Sequence, residues 1–142
     1  MDPTLSRPRP VYRNIHITQI ATYRLPLAGL VSILHRISGA LLFVLLPFVV
    51  WLFDQSVTSQ VSYDRMMAVF AAGAGPLPGW LLKLVVLGLI WAYLHHFIAG
   101  IRHLRMDISH HAVDLLPGRR SAIFTLAASL ALTVALGIKL FF

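Results

Sequence analysis

The sequence contains no cysteine and no glutamate, and only 12% of its 142 residues are charged. Without cysteine the chain has no disulfide, no thiolate-held zinc and no iron–sulfur cluster of its own. A soluble domain carries about 25% charged residues, so this chain is too poor in charge to cover a water-facing surface. No glycine-rich phosphate loop follows a strand pattern, which excludes nucleotide chemistry of that kind. There is also no internal repeat and no low-complexity tract. What the chain has in abundance is apolar: 58% of residues are hydrophobic, with a mean hydropathy of +0.77. Its length allows one domain. The net charge of +7 would suit nucleic acid in a soluble protein. In a membrane protein the same excess is a topology signal, so no nucleic-acid partner is expected.

Three long apolar runs span 27–53, 80–104 and 121–142. Each is near or above the roughly 20 residues that a helix needs to cross the hydrocarbon core. A helix satisfies its own backbone in lipid, whereas an open strand does not, so all three are read as helices. The first run is too long, and follows too long a leader, to be a cleaved signal peptide. Trp51, Trp80, Trp91 and Tyr93 include candidate interfacial anchors, with Trp51 and Trp80 nearest the run ends. The stretch 66–79 between the first two runs fits either a short surface helix or an irregular loop.

Loop charge sets the direction of crossing. The N-terminal tail carries Arg7, Arg9, Arg13 and Arg24 against Asp2 alone. The connection between the first and second runs has Arg65 against Asp54 and Asp64. The connection between the second and third has Arg105, Arg119 and Arg120 against Asp107 and Asp114. Positive residues gather on the cytoplasmic side, so the tail and the second connection are placed inside. Lys83 and Lys139 lie near the outer ends, where a lysine can snorkel. The expectation is an all-α membrane protein with three transmembrane helices and a single anchor domain over 1–142. Residues 1–26 form its cytoplasmic tail, and its C-terminus is periplasmic.

Ionisable residues inside the runs are the informative ones, because each is costly in hydrocarbon unless partnered. The first run holds Ser32, His35 and Arg36; Ser32, Arg36 and Gly39 share one helical face, with His35 on its flank. The second holds His95, His96, Arg102 and His103. His96 and His103 are seven apart and share a face, with Gly100 between them and Ala92 one turn before His96. At about 1.5 Å per residue, His35 and His96 both lie roughly 10–12 Å below the cytoplasmic boundary. The third run offers only Ser, Thr and Lys139 and is read as packing. A neutral imidazole at such depth suits haem iron, and arginine and histidine nearer water suit its propionates. A serine hydroxyl and an arginine on one face suit the carbonyl oxygens of a quinone, the arginine also stabilising a reduced oxyanion. Each has a plainer alternative. The histidines can simply bridge helices, and Arg36 can be a snorkelling anchor. His95 points about 100° away from His96, so one haem edge takes only one of them. His16, His110 and His111 fall in the tail or connections and are read as solvated.

The segment from Ser32 to Gly39, SILHRISG, closely resembles the SILHR-x-[ST]-G signature of the cytochrome b membrane-anchor subunit of succinate dehydrogenase, respiratory complex II. The segment His96 to Leu104, followed by Asp107, resembles the same family's H-x-x-x-G-[IV]-R-H-L-x-x-D signature. The Arg-Pro pairs Arg7-Pro8 and Arg9-Pro10 also fit, and the likeness runs along nearly the whole chain. The doubled His95-His96 departs from the single histidine that is typical; counting back from Gly100-Ile101-Arg102-His103 selects His96.

The resemblance implies roles for these residues. His96 matches the axial ligand of haem b, the metal ligand that this chain supplies. Ser32 and Arg36 match the residues that line the ubiquinone pocket, and His35 and His103 the haem propionate region, beside Arg36. In that family the second axial ligand comes from a small partner anchor, making a heterodimeric anchor bundle; an intrachain His35–His96 pair is the other arrangement open. The resemblance further implies a bacterial inner-membrane, multi-pass subunit that performs no dehydrogenation itself. Its partners would be a flavoprotein subunit with FAD and an iron–sulfur subunit, and it would pass their electrons to quinone. Two other readings stand beside this one: the anchor of a fumarate reductase, and a structural anchor that binds no cofactor.

Overall fold

The computed structural model describes residues 23–141 together with His16 and Thr18. The tail arginines Arg7, Arg9 and Arg13, the Arg-Pro pairs, Phe142 and the side chain of His110 lie outside the described residues. Among the described residues five α-helices are bounded in order: α1 Leu27–Val44, α2 Leu46–Val57, α3 Gln60–Ala72, α4 Gly79–Ile108 and α5 Leu115–Phe141, with a 3₁₀ turn, His110–Val113, before α5. Helices α1, α4 and α5 are each long and apolar enough to cross a membrane.

The first apolar run is thus two helices rather than one over 27–53. Pro47 sits in the first turn of α2 and has no N–H to return to the α1 ladder. The chain bends at Leu45, where the backbone leaves the helical region (φ −92°, ψ 3°). Hydrogen bonds from Leu45 N to Leu41 O and from Val49 N to Leu45 O, 2.9 and 3.0 Å, continue on either side of the bend. The second and third runs also extend beyond their apolar stretches, to 30 and 27 residues.

Most of the stretch 66–79 is resolved as helix and turn. Helix α3 opens on a reciprocal cap: Ser59 Oγ accepts from Ser62 N and Ser62 Oγ accepts from Ser59 N, both at 3.1 Å. It closes on Gly73, whose φ of 103° favours glycine. A tight turn then pairs Ala74 with Leu77 and delivers the chain to α4.

Helix α4 is the centre of the bundle, antiparallel to α1 on one side and to α5 on the other. His35 and Gly39 of α1 meet Gly100 and His96 of α4 in reverse order. Arg102, His95 and Leu87 of α4 meet Ser121, Ser129 and Gly137 of α5 in the same descending sense. The buried face of α5 is a stripe of small residues: Gly118, Ala122, Thr125, Ser129, Thr133 and Gly137. Small side chains let helices approach closely, which is how helices associate where lipid removes the hydrophobic incentive. The hydroxyls on this stripe stay satisfied by bonding carbonyls of their own helix, as Thr125 does to Ser121 O (2.9 Å) and Thr133 to Ser129 O (2.7 Å). Val31, Ala99 and Ala122, one from each long helix, form the apolar centre. Most large apolar side chains outside it are exposed, as lipid or partner contact requires, and the rest are half-buried between the helices.

Among the aromatic residues, Trp80 is exposed at the start of α4, whereas Trp51 is exposed in the middle of α2, stacked on Phe48. Trp91 is half-buried in the middle of α4 and stacks on His95, with ring centroids 5.3 Å apart. Lys83 lies over the Phe141 ring at 5.6 Å, a cation–π contact that holds the start of α4 to the end of α5.

Candidate functional site

The depth match expected between His35 and His96 is present as direct contact. Their rings stack with centroids 4.2 Å apart and planes 11° from parallel. His103 completes the group, 5.0 Å from His35 and tilted by 46°. Gly39 makes this packing possible, and Gly100 lies under the facing ring. The His96 ring lies over Gly39, where an added Cβ would come within 2.7 Å of Cε1. The His35 ring lies over Gly100, 3.6 Å from the place of an added Cβ. Each helix therefore offers a histidine to the other's glycine.

The hydrogen bonds of His96 define its chemistry. Nδ1 lies 3.0 Å from the carbonyl oxygen of His35 and 3.4 Å from Ser38 Oγ. A carbonyl can only accept, and the Ser38 hydroxyl already donates to that same carbonyl at 2.9 Å. Nδ1 must then carry the proton, which leaves the lone pair on Nε2. Metal-ligating histidines are oriented by this arrangement, one ring N–H held by a carbonyl and the other nitrogen free to bind. Ser38, fully buried, was not singled out from the sequence; its place three residues after His35 was the available signal.

The neighbouring His95 has a different environment. It is fully buried, it lies 3.4 Å from Ser129 Oγ of α5 through Nδ1, and it stacks on Trp91. Val31 of α1 is a backbone neighbour of the ring, yet no group among the described residues closes a hydrogen bond on its Nε2. This side chain fills the junction of three helices and leaves no path to a large ligand.

Ser32 is half-buried and Arg36 exposed, one turn apart on a face of α1 beside the histidine stack. Arg36 is within electrostatic reach of His103, as are Arg102 and Asp107. The residue that sequence reading left without a role is Arg102. It is 6% exposed, donates from Nε to Ser121 Oγ at 3.0 Å and from Nη2 to Gly118 O at 3.4 Å, and so fastens α4 to α5. At the surface, His111 pairs with Asp114. Among the described residues no three histidines or carboxylates are arranged to hold a bare metal ion.

Three apolar crossings, with an imidazole held in one tautomer between two of them, describe an all-helical membrane anchor. Residues 6–136 match the model of the succinate dehydrogenase/fumarate reductase transmembrane subunit, and the chain belongs to that family. Its relatives place it with the cytochrome b anchors of succinate dehydrogenase. It is 31% identical over 115 residues to the succinate dehydrogenase cytochrome b556 subunit of Paracoccus denitrificans, covering 81% of this chain and 82% of that one. The corresponding subunit of Coxiella burnetii is 32% identical over 130 residues, 92% of this chain and 94% of the relative. The family is the one that the two histidine motifs resemble. With its three apolar helices the chain is a multi-pass inner-membrane protein.

The residues fit a haem. His96 presents an imidazole whose Nδ1 is held by a carbonyl, and Gly39 seats that ring against α1. The stacked faces of His35 and His96 leave no room for a macrocycle between them, which speaks against the intrachain pair.

Proposed function

We propose that this chain is the haem b- and ubiquinone-binding anchor of a succinate dehydrogenase, carrying electrons from an iron–sulfur subunit to quinone. The observation that carries this reading is the bond from His96 Nδ1 to the His35 carbonyl, which leaves the Nε2 lone pair to hold a haem iron. A second ligand to the haem would come from a small partner anchor, because His35 is engaged face to face with His96. His35, His103 and Arg36 would hold the haem propionates. When bound, the haem supplies one-electron storage beside the path to quinone.

The chain's own residues position the quinone. Ser32 donates its hydroxyl to one carbonyl oxygen, and Arg36, one turn on, places positive charge where negative charge develops during reduction. Charge distribution supports a cytoplasmic N-terminus and a periplasmic C-terminus. Ser32 and Arg36 then face the side on which the flavoprotein and iron–sulfur subunits would dock, and FAD and the clusters would reside in those partners. Succinate oxidation, rather than fumarate reduction, follows the names of the relatives.

The test is a reduced-minus-oxidised visible spectrum of the complex purified through this chain, compared with His96→Ala and His95→Ala. A low-spin b-type signal is expected in the parent and in His95→Ala, and its loss in His96→Ala. An unchanged low-spin spectrum in His96→Ala refutes the assignment.

A further inference from the structure

On the side of α4 turned away from the histidine stack, a groove of about 530 Å³ runs between α4 and α5. Arg105 is nine residues from His96, hence about 180° around the helix, so the groove is separate from the site described above. One end is lined by Arg102, Arg105, Arg120 and Ser121; the wall then turns apolar through Phe124 to Leu132. From Arg120 to Leu132 the groove extends about 18 Å along α5 at the helical rise. Three cations at one end and an acyl-length apolar channel behind them form an amphipathic cleft, matched to a molecule with an anionic head and a long hydrocarbon tail.

A second observation points to the same occupant. Arg102 is nine-tenths buried within a membrane-spanning helix, where an uncompensated charge is expensive. Its described partners are neutral, the Ser121 hydroxyl and the Gly118 carbonyl, and they use two of its five N–H groups. No carboxylate pairs with it among the described residues. Arg105 and Arg120 are exposed beside it. The cluster carries positive charge with no negative charge of its own to answer it.

We infer that this groove is a binding site for an anionic phospholipid, with the phosphate on Arg105 and Arg120 within reach of Arg102, and an acyl chain laid along Phe124 to Leu132. Basic pockets between transmembrane helices recognise lipid headgroups in this way. Ser121 Oγ, which accepts from Arg102 and donates to Gly118 O at 3.0 Å, holds the guanidinium at the mouth of the groove.

The complex purified through this chain is delipidated, exchanged with phosphatidylglycerol or phosphatidylcholine of identical acyl chains, and examined by native mass spectrometry. Selective retention of one phosphatidylglycerol per chain is expected. The double variant Arg105→Gln/Arg120→Gln should retain on the order of thirtyfold less, since each surface arginine contributes roughly a fivefold preference. Helicity by circular dichroism verifies that this variant is folded, and the two-lipid comparison on the parent protein stands without it. Ala128→Trp, which fills the apolar half of the groove, should also expel the lipid with all three arginines intact. Equal retention of both lipids, displacement by millimolar inorganic phosphate, or a photo-crosslink from Leu132 to a protein instead of lipid would each overturn the proposal.

Discussion

Replacing Gly39 by alanine separates the needs of the fold from those of the site. In the interior of a helix alanine is favoured over glycine by about 1 kcal/mol, so propensity alone forecasts a stabilised α1. The new Cβ, however, meets His96 Cε1 at 2.7 Å and Nδ1 at 3.1 Å, both closer than van der Waals contact. Overpacking of this kind costs typically 1–3 kcal/mol when the neighbour cannot move. Here the neighbour is the tip of a side chain, so the ring swings aside and the fold gives up little. The bond to the His35 carbonyl, worth about 1 kcal/mol net, is lost in the process, and with it the fixed tautomer. Gly39→Ala should therefore leave the thermal-unfolding midpoint of the complex nearly unchanged while haem content falls and the b-type spectrum broadens or shifts. Gly100→Ala is the control, since its Cβ would lie at an ordinary 3.6 Å from His35 Nε2 and should leave both readouts close to the parent. Full haem content and an unaltered spectrum in Gly39→Ala would show that the socket does not position the ligand.

Other substitutions probe the surrounding structure. Arg36→Gln should lower kcat/KM for quinone roughly 10- to 100-fold, the range for losing a charged hydrogen-bond donor, while the haem spectrum stays constant; a quinone-independent loss in electron delivery from the iron–sulfur side would contradict this. His95→Ala should destabilise the complex by about 2–4 kcal/mol through the cavity it opens, visible as a lower unfolding midpoint, and an unaltered midpoint would show that the three-helix junction does not depend on it. Gly137→Val should cost about 1–3 kcal/mol by driving a branched side chain against Leu87, whose Cδ1 is 2.9 Å from the first added carbon. Gly137→Ala should cost less, because the Leu87 tip can yield.

The three crossings were legible because hydropathy over 20 residues is a property of composition, and composition survives any rotation of the helix. The meeting of His35 with His96 was legible for a related reason: depth follows from counting residues at a fixed rise. Rotation about the helix axis is a different matter. Nothing in the spacing of His95 and Arg102 says that they turn toward α5, because that depends on where α5 places its small stripe. The histidines drew attention as chemistry, whereas Arg102 was passed over although it is the buried cation that joins two helices. The bend at Leu45 had a visible signal in Pro47, which lies within a 27–53 run too long for the hydrocarbon core. Helix α3 was harder, since its cap is built from two serines instead of the stronger serine–glutamate pair.

The paired sockets of α1 and α4 also act as a mechanical key. Because each imidazole occupies the notch left by the opposite glycine, moving one helix lengthwise by a turn would drive both rings out of their notches at once. The two helices are consequently keyed against sliding, and the height of Nε2 on His96 along the bundle is held fixed relative to Ser32 and Arg36.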